Sequence, residues 1–334
     1  MKICKPLFFL FGFLFLLVSG CTQSHPQSTP SKLQQWMSEN GRLKVLCTTS
    51  MIADIVREVG KDKIDCLTLI QGESDPHSYQ LVKGDDEKLA RADVIFYNGL
   101  GLEHGPSLAE RLKKNPKAYA VGDFLSSKRP EDIITYGASV DPHIWMDVSL
   151  WADSVPFIAE TLSQALPEQR YFFEEKSKAC VALLQTVHVD IQERLAAVPQ
   201  ERRYLVSAHE AFNYFVRAYL ATNEERAKGS WMVRSMAPEG LAPDSQLSTA
   251  DIQRLVDHIV QYNVQTLFAE SNISRDALEK ITDACLQKGH VVHVAKEPLY
   301  VDAMGPAGSI AATYIGMMRH DAETIARALE KGDL

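Results

Sequence analysis

Residues 167–199 read PEQRYFFEEKSKACVALLQTVHVDIQERLAAVP, and this stretch decides the fold. Its only prolines are its first and last residues, and it contains no glycine. Apolar side chains recur within it at mostly three- and four-residue steps, namely Phe173, Cys180, Leu184, Val187, Ile191 and Leu195. This spacing predicts one amphipathic helix over residues 168–198, roughly 45 Å long and able to bridge two lobes. The alternative is a pair of helices, but no breaker residue supports a turn.

Short apolar runs alternate with helical patterns on both sides of this stretch. Strands are predicted at residues 43–49, 64–70, 93–97, 118–121, 204–207, 264–269 and 291–295. Helices are predicted at residues 51–59, 83–91, 148–166, 210–220, 249–262, 275–288 and 309–330, and a long connection at 223–247. This alternation predicts an α/β fold with parallel sheets. The expected parts are a first lobe at residues 43–166, a linking helix at 167–199 and a second lobe at 200–334.

The length and composition agree with two lobes. A chain of 334 residues is long for one domain. Hydrophobic residues make up 46% of it and charged residues 23%, as in a globular protein with substantial cores. The formal net charge is -8, and no basic stripe is present, so nucleic acid is not an expected partner.

The N-terminus has the pattern of a secretory signal. Lys2 and Lys5 precede an apolar run over residues 6–18, which is short for a transmembrane span, and small residues follow. Residues 18–21, Val-Ser-Gly-Cys, resemble a bacterial lipobox, so Cys21 is the expected lipidation site. Residues 1–20 are then the signal peptide, and the Ser-, Gln-, Thr- and Pro-bearing residues 21–42 a flexible tether. An uncleaved anchor and a plain signal peptide are the alternatives. The chain is expected to be exported to the periplasm or cell surface and anchored in the membrane.

Four further cysteines follow Cys4 and Cys21, with no CxxC pair and no zinc-finger spacing. Cys47, Cys66 and Cys180 lie within apolar runs and are predicted to be buried as small hydrophobic side chains. The sequence leaves open whether these three or Cys285 form a disulfide.

The triplet Asp-Pro-His occurs at residues 75–77 and again at residues 141–143. Histidine is the commonest metal ligand in proteins, and a preceding proline stiffens the loop that carries it. One such triplet would be an ordinary surface loop. Two of them favour convergence of His77 and His143 on one metal ion, with Asp75 and Asp141 shaping the loops or supporting the ligands.

Two residues of the second half occupy comparable places. His209 follows the strand that ends at residue 207, and Asp302 follows the strand predicted at 291–295. Ligands of open α/β sheets bind outside the carboxyl ends of the strands. Spacing alone leaves a ligand role and a structural role for these two residues equally open.

A set of three histidines and one aspartate would suit Mn, Fe or Zn as a divalent ion. Four protein ligands fill a tetrahedral site, whereas catalytic zinc keeps one position for water. The set therefore favours carrying a metal over hydrolysis with it. Surface or structural roles are predicted for five other histidines, which are His25, His188, His258, His290 and His293. For His104 we expect a surface or supporting role beside the cleft.

Four motifs carry a family resemblance, and they read DPHSY, DPHIWMD, SAHEAFNYF and GHVVHVAKEPLYVDAMG. With the signal and lipobox, they resemble the metal-binding solute receptors of ABC transporters, the TroA-like group. The resemblance covers the chain from about residue 43 to the C-terminus. It implies two α/β lobes joined by one long rigid helix, with the metal in the cleft between them.

By position, the family's ligands fall on His77, His143, His209 and Asp302, although some members have glutamate in the third place. The resemblance implies a monomeric receptor, not an enzyme, that captures one divalent Mn, Fe or Zn ion. It would deliver the ion to the permease of an ABC importer, with only modest lobe movement. Zinc-devoted members often carry a His-rich loop, and the absence of histidine from residues 105–140 favours manganese or iron.

The sequence leaves two alternatives to a receptor function. The first is an exported metal-dependent hydrolase, with Glu210 or Glu270 as its base. The second is a surface adhesin, which would need exposed extended tracts beyond the tether. No nucleotide-binding GxxxxGK[ST] motif occurs, so an ATPase partner would have to supply transport energy.

Overall fold

The structure is a computed structural model, and it describes residue 1 and residues 32–136, 139–242 and 248–331. The predicted signal peptide after Met1, the lipidation site Cys21 and residues 21–31 of the tether lie outside the described residues. His25 lies there as well.

The first lobe is built on a parallel sheet of four strands with the order β2-β1-β3-β4. Its elements are α1 (Lys32–Met37), β1 (Leu43–Cys47), α2 (Ser50–Gly60), β2 (Ile64–Thr68), α3 (Asp85–Arg91), β3 (Val94–Tyr97), α4 (Pro106–Lys114), β4 (Ala118–Ala120), α5 (Val121–Lys128), β5 (Thr135–Tyr136), β6 (Ser139–Val140), α6 (Val148–Ala152) and α7 (Val155–Ala165). Strands β5 and β6 pair antiparallel. Along β1, Val45 and Cys47 face the main core, whereas Leu46 faces the core beneath Trp36. This alternation buries both faces of the central strand.

The predicted long helix is α8 (Arg170–Ala196), 27 residues, preceded by a 3-10 turn at Pro167–Gln169. Its buried side chains form one stripe, consisting of Phe173, Ser177, Cys180, Leu184, Val187, Ile191 and Leu195. At 1.5 Å per residue it is about 40 Å long. The stripe joins residues of both lobes in one continuous core.

The second lobe contains shorter strands. Its elements are β7 (Leu205–Val206), α9 (Asn213–Phe215), α10 (Asn223–Lys228), β8 (Ser235–Met236), α11 (Thr249–Gln261), β9 (Thr266–Leu267), α12 (Asp276–Gln287), β10 (His293–Val294) and α13 (Tyr314–Lys331). Strand β7 pairs with β8 and β9 with β10, both parallel. The amide of Phe268 donates to the carbonyl of Val206 over 2.8 Å and links the two pairs. Arg194 of α8 forms ion pairs of 2.6 Å with Glu323 and Glu330 of α13. The α/β fold with parallel strands and one long helix is confirmed.

The helix predicted over residues 148–166 is divided into α6 and α7. Pro156 lies at the start of α7 and lacks an amide hydrogen. Its ring also crowds the carbonyl four residues earlier, at Ala152, which is where α6 ends. The single-helix prediction is therefore wrong for this stretch.

Two predictions in the second lobe also need correction. The helix expected over residues 210–220 begins only at Asn213 and continues as a π-helical turn over Val216–Leu220. Residues 223–247 contain α10 and β8 rather than a plain connection. Thr222 and Glu225 form a capping box at the start of α10, and Gly229 ends the helix with a φ of 70°.

The tether prediction is wrong for residues 32–42. Trp36 in α1 is only 3% exposed, and its indole nitrogen donates to the carbonyl of Asp65 over 2.9 Å. The amide of Asn40 donates to the Asp65 carboxylate over 2.6 Å. Because one apolar aromatic side chain and these hydrogen bonds attach it to β2, this segment belongs to the first lobe.

Cys47, Cys180 and Cys285 are buried, and Cys66 is half-buried. All four are free thiols, and 3.7 Å separates the sulfurs of Cys47 and Cys66. Among the described helices, none combines the length and the apolar character that crossing a bilayer requires.

Candidate metal centre

The four predicted ligands meet between the lobes. His77 lies in the loop after β2, His143 just after β6, and His209 after β7, while Asp302 lies between β10 and α13. All four side chains are buried. One potential ligand atom from each lies within 4.8 Å of all the others, so the structure brings together all four residues.

Their spacing matches ligands that share one cation. The Nε2 atoms of His77 and His143 are 3.2 Å apart, and Nε2 of His209 is 3.4 Å from Oδ2 of Asp302. Oδ1 of Asp302 lies 3.6 Å from Nε2 of His143 and 3.8 Å from Nε2 of His77. Ligands about 2.1 Å from a tetrahedral centre are ~3.4 Å from one another. The arrangement is therefore suited to a small transition-metal ion.

The two Asp-Pro-His triplets fold alike. Oδ1 of Asp75 accepts the amide of His77 over 2.8 Å, and Oδ1 of Asp141 accepts the amide of His143 over 2.9 Å. Each aspartate thus closes a tight turn around its proline. Asp75 also accepts from the backbone and hydroxyl of Ser78. The loop-shaping role expected for both aspartates is what these contacts provide.

Carboxylates orient two of the three imidazoles. Nδ1 of His143 lies 2.8 Å from Oδ1 of Asp141, and Nδ1 of His209 lies 2.6 Å from Oε2 of Glu270. An ionised carboxylate only accepts, so Nδ1 of each ring carries a hydrogen, and Nε2 offers its lone pair once the ring is neutral. Both lone pairs then point toward the cluster. This is the protonation that a metal ligand needs.

Glu270 has a role that sequence reasoning missed. Its Oε1 accepts the amides of Ala208 and His209 over 2.9 and 3.0 Å, and its side chain is buried. The sequence suggested Glu270 as a hydrolytic base, but it contacts the outer nitrogen of His209. Its position after β9, like that of His209 after β7, was a signal that it lies at the same edge.

Hydrogen bonds across the cleft hold the ligand loops together. The indole nitrogen of Trp145 donates to the carbonyl of Val301 over 2.9 Å, next to Asp302. The side-chain amide of Asn213 donates to Oδ2 of Asp141 over 2.9 Å. The first- and second-lobe parts of the site are thus joined by direct hydrogen bonds.

The local electrostatics divide the four predicted ligands into two groups. Burial, followed by the nearby rings of His143 and His209, lowers the pKa of His77 to about 2. Burial also lowers the pKa of His143 well below its ordinary value, so both rings are neutral near pH 7. Burial alone would lower the pKa of His209, but Glu270 and Asp302 outweigh it and raise that pKa to about 9.

Burial raises the pKa of the Asp302 carboxyl to about 7, and Glu270 adds to this effect. Nε2 of His209 and both carboxylate oxygens of Asp302 make no hydrogen bond in the described part of the chain. Buried polar atoms without partners cost free energy. A cation among them would provide the missing interaction.

Five other histidines have separate places. His104 is exposed, and its ring centre lies 5.8 Å from that of His77. Nδ1 of His188 contacts the Tyr219 hydroxyl at 3.0 Å, and Nε2 of His290 donates to the carbonyl of Val264 over 2.7 Å. His258 packs against Tyr262, and His293 is exposed. None of these five belongs to the cluster of four.

Residues 45–328 match the family model described as ZnuA, zinc-uptake complex component A periplasmic. The chain belongs to this family. The prediction of a receptor family for transition metals is thereby confirmed, and the hydrolase alternative gains no support.

Three proteins similar to this chain are described as binding different metals. The structure of Fe(III)-bound YtgA from Chlamydia trachomatis is 36% identical in sequence to this chain and superposes with a TM-score of 0.81. The match covers 85% of this chain and 97% of the YtgA chain. The periplasmic zinc binding protein TroA from Treponema pallidum is 33% identical, with a TM-score of 0.78, and the match covers 87% of this chain and 100% of the TroA chain. The manganese-binding lipoprotein MntA of Bacillus subtilis is 31% identical, with 88% of this chain and 92% of the relative covered.

Proposed function

We propose that this chain is the substrate-binding lipoprotein of a metal ABC importer. It binds one divalent transition-metal ion through His77, His143, His209 and Asp302. The observation that carries the proposal is the convergence of these four buried side chains, with ligand atoms within 4.8 Å of one another. The ion is cargo, bound in the cleft and released to the importer.

The donor set supports capture rather than catalysis. Three imidazoles and a carboxylate fill a tetrahedral shell, so no position remains for an activated water. Glu270, the suggested base, contacts Nδ1 of His209 rather than an open ligand position. We therefore propose that the chain is not an enzyme.

The cargo is Mn, Fe or Zn. Imidazole nitrogen and carboxylate oxygen suit all three, and thiolate or thioether donors that would select Cu(I) are absent from the cluster. The similar proteins named above are described as binding iron, zinc and manganese. The lack of histidine in residues 105–140 favours manganese or iron over zinc.

The lobe boundaries follow the long helix. We place the first lobe at residues 43–166 together with the packed segment 32–42, the linking helix at 167–199 and the second lobe at 200–334. The buried stripe of α8 packs in the core shared by both lobes, and Arg194 adds ion pairs to Glu323 and Glu330 of α13. A helix packed in this way limits hinge motion, so metal binding changes the lobe arrangement only modestly.

The remaining parts concern location and partner. Acylated Cys21 anchors the mature chain to a membrane outside the cytoplasm, in keeping with the lipoprotein description of MntA. Stable attachment needs more than one lipid chain. The monomeric loaded receptor docks on the permease of an ABC importer, and the ATPase of that importer supplies the energy.

Metal binding should stabilise the folded chain. At a free concentration of one hundred times Kd, a ligand adds about 2.7 kcal/mol of stability. For a chain of this size, we expect Mn²⁺ or Zn²⁺ to raise the Tm of the stripped protein by at least about 5 °C. Differential scanning fluorimetry after chelation measures this shift.

Mg²⁺ is the matched control, because it prefers octahedral oxygen ligands and should leave Tm unchanged. An unchanged Tm with Mn²⁺, Zn²⁺ and Fe²⁺ at millimolar concentration would contradict the proposed function. An equal shift with Mg²⁺ would contradict the assignment of the four-residue site.

A further inference from the structure

Asn98 lies directly after β3 and contacts the loop of a predicted ligand. The residue is fully buried, and its Nδ2 donates to the carbonyl of Pro142 over 3.0 Å. Pro142 is the central residue of the second Asp-Pro-His triplet and directly precedes His143. The side chain of Asn98 therefore joins the His143 loop to the end of an inner strand of the first-lobe sheet.

The backbone of Asn98 is fixed on both sides. Its amide donates to Oε1 of Glu103 over 2.8 Å, and its carbonyl accepts the amide of Gly122 over 2.7 Å. Oε1 of Glu103 also accepts the Thr48 hydroxyl over 2.7 Å, and Oε2 accepts the amide of Gly99 over 3.0 Å. Glu103 is itself buried. These contacts hold the backbone from which the Asn98 side chain reaches the triplet.

The segment 98–105 also holds His77. The amide of Gly105 donates to the carbonyl of His77 over 3.1 Å. A Cβ at Gly105 would lie 2.0 Å from the carbonyl oxygen of Tyr79, so only glycine permits this close approach. The segment thus contacts the His77 loop at one end and the His143 loop at the other. Between these loops, the Nε2 atoms of the two imidazoles are 3.2 Å apart.

Two further hydrogen bonds of the His143 loop come from the second lobe. The hydroxyls of Tyr214 and Tyr314 donate to backbone carbonyls of this loop over 3.0 and 2.6 Å. Of these three hydrogen bonds, the one from Asn98 reaches the four-stranded sheet, whose strand β2 leads into the His77 loop. Asn98 therefore fixes one ligand loop relative to the other.

We propose that Asn98 is a positioning residue for the bound metal ion. Its amide group does not contact the metal, but it keeps the His143 imidazole at the distance from His77 that one shared ion requires. Ligands that are ordered before the ion arrives reduce the entropic cost of binding, so loss of Asn98 weakens the affinity. The inference rests on the proposed function and adds to it a residue that acts through His143.

The variant Asn98→Ala removes the contact without leaving its acceptors unpaired. The carbonyl of Pro142 also accepts the amide of Ile144 over 2.9 Å. The carbonyl of Gly99, which Nδ2 of Asn98 reaches over 3.1 Å, also accepts the amide of Leu102 over 3.0 Å. We expect a folded protein whose Zn²⁺ affinity is about 10-fold lower, at the small end of the range for groups that orient a metal-binding histidine.

A second substitution distinguishes positioning from a general loss of structure. In a chain that already carries His143→Ala, Asn98→Ala should change the Zn²⁺ affinity by less than about twofold, since both changes act through one imidazole. In a chain that carries His209→Ala, the loss of about 10-fold should remain. Zn²⁺ is the probe because it binds such sites more tightly than Mn²⁺ or Fe²⁺, so its affinity stays measurable after a ligand is lost.

Isothermal titration of the stripped mature chain, with a competing chelator for tight binding, measures these affinities. The matched control is Asn115→Ala, which removes a side-chain hydrogen bond to the Lys117 amide in another loop of the first lobe. It should leave the affinity unchanged. Asn98→Leu keeps most of the buried volume and should lose as much affinity as Asn98→Ala. The metal-free Tm of each variant shows whether the fold is intact.

Unchanged Zn²⁺ affinity in the two Asn98 variants, or an undiminished further loss in the His143→Ala chain, would overturn the positioning role. Failure of the wild type to bind any of Mn²⁺, Fe²⁺ or Zn²⁺ would instead reject the proposed function. The two failures are therefore distinguishable.

Discussion

Replacing His209 by alanine is expected to weaken the affinity for Mn²⁺ or Zn²⁺ more than about 100-fold. The change removes one of four ligands and leaves the buried carboxylates of Glu270 and Asp302 without their imidazole partner. Loss of a group that merely orients a metal ligand costs about 10- to 100-fold in affinity, so loss of the ligand itself should exceed that range. Isothermal titration of the chelated protein, with a competing chelator for tight binding, measures the change.

The control for this variant is His293→Ala, which removes an exposed imidazole of the same lobe. Its affinity should equal that of the wild type. Because a buried carboxylate without a partner also costs about 1–3 kcal/mol of stability, the metal-free Tm of His209→Ala must be compared as well. Retained affinity in a folded His209→Ala protein would remove this residue from the site.

The second large effect is expected for Glu270→Gln, although Glu270 is not itself among the four ligands. The carboxylate accepts from the backbone amides of Ala208 and His209 and lies 2.6 Å from Nδ1 of His209. A glutamine can keep its oxygen on the backbone amides, but its NH₂ group then faces Nδ1. The ring must accept there and carry its hydrogen on Nε2, which disables the metal-binding nitrogen.

We expect Glu270→Gln to lower the affinity about 10- to 100-fold, as for other groups that orient a metal-binding histidine. Glu279→Gln, on the exposed face of α12, is the matched control. In a protein that already carries His209→Ala, the Glu270→Gln change should add little, since both act through one imidazole. Full additivity of the two losses would contradict a role of Glu270 through His209.

Local patterns predicted the long helix. The apolar stripe of α8 has helical periodicity, and proline brackets the stretch. The first turn of the predicted helix is a 3-10 turn, so α8 begins at Arg170, two residues later than predicted. The break between α6 and α7 was not predicted, although Pro156 excludes a regular helix through Ala152. These features depend on neighbours in sequence.

The second lobe was less predictable because its form depends on distant partners. Residues 264–269 were predicted as one strand, yet only Thr266–Leu267 pair as a strand. The length of a strand is set by the backbone that lies beside it, and here β10 offers two residues. Likewise, the helix predicted over residues 210–220 lacks its first turn, because the amide of Glu210 donates to the carbonyl of Gly240 instead. The local periodicity of the sequence does not predict such pairings.

Residue types alone predicted half of the site. The duplicated triplet singled out His77 and His143, and spacing placed His209 and Asp302 at strand ends without deciding their role. The resemblance to metal receptors implied a ligand role for both, and the structure shows that all four side chains converge. The pairing of Glu270 with His209 was missed, because it joins residues 61 positions apart.

Elemental analysis of the mature chain, stripped by chelation and reloaded with Mn²⁺, Fe²⁺ or Zn²⁺, is the decisive measurement. We expect one transition-metal ion per chain after reloading and gel filtration. A variant with both His209→Ala and Asp302→Ala should retain none. Absence of stoichiometric metal from the reloaded wild type, or equal retention by the double variant, would contradict metal capture at the cleft between the lobes.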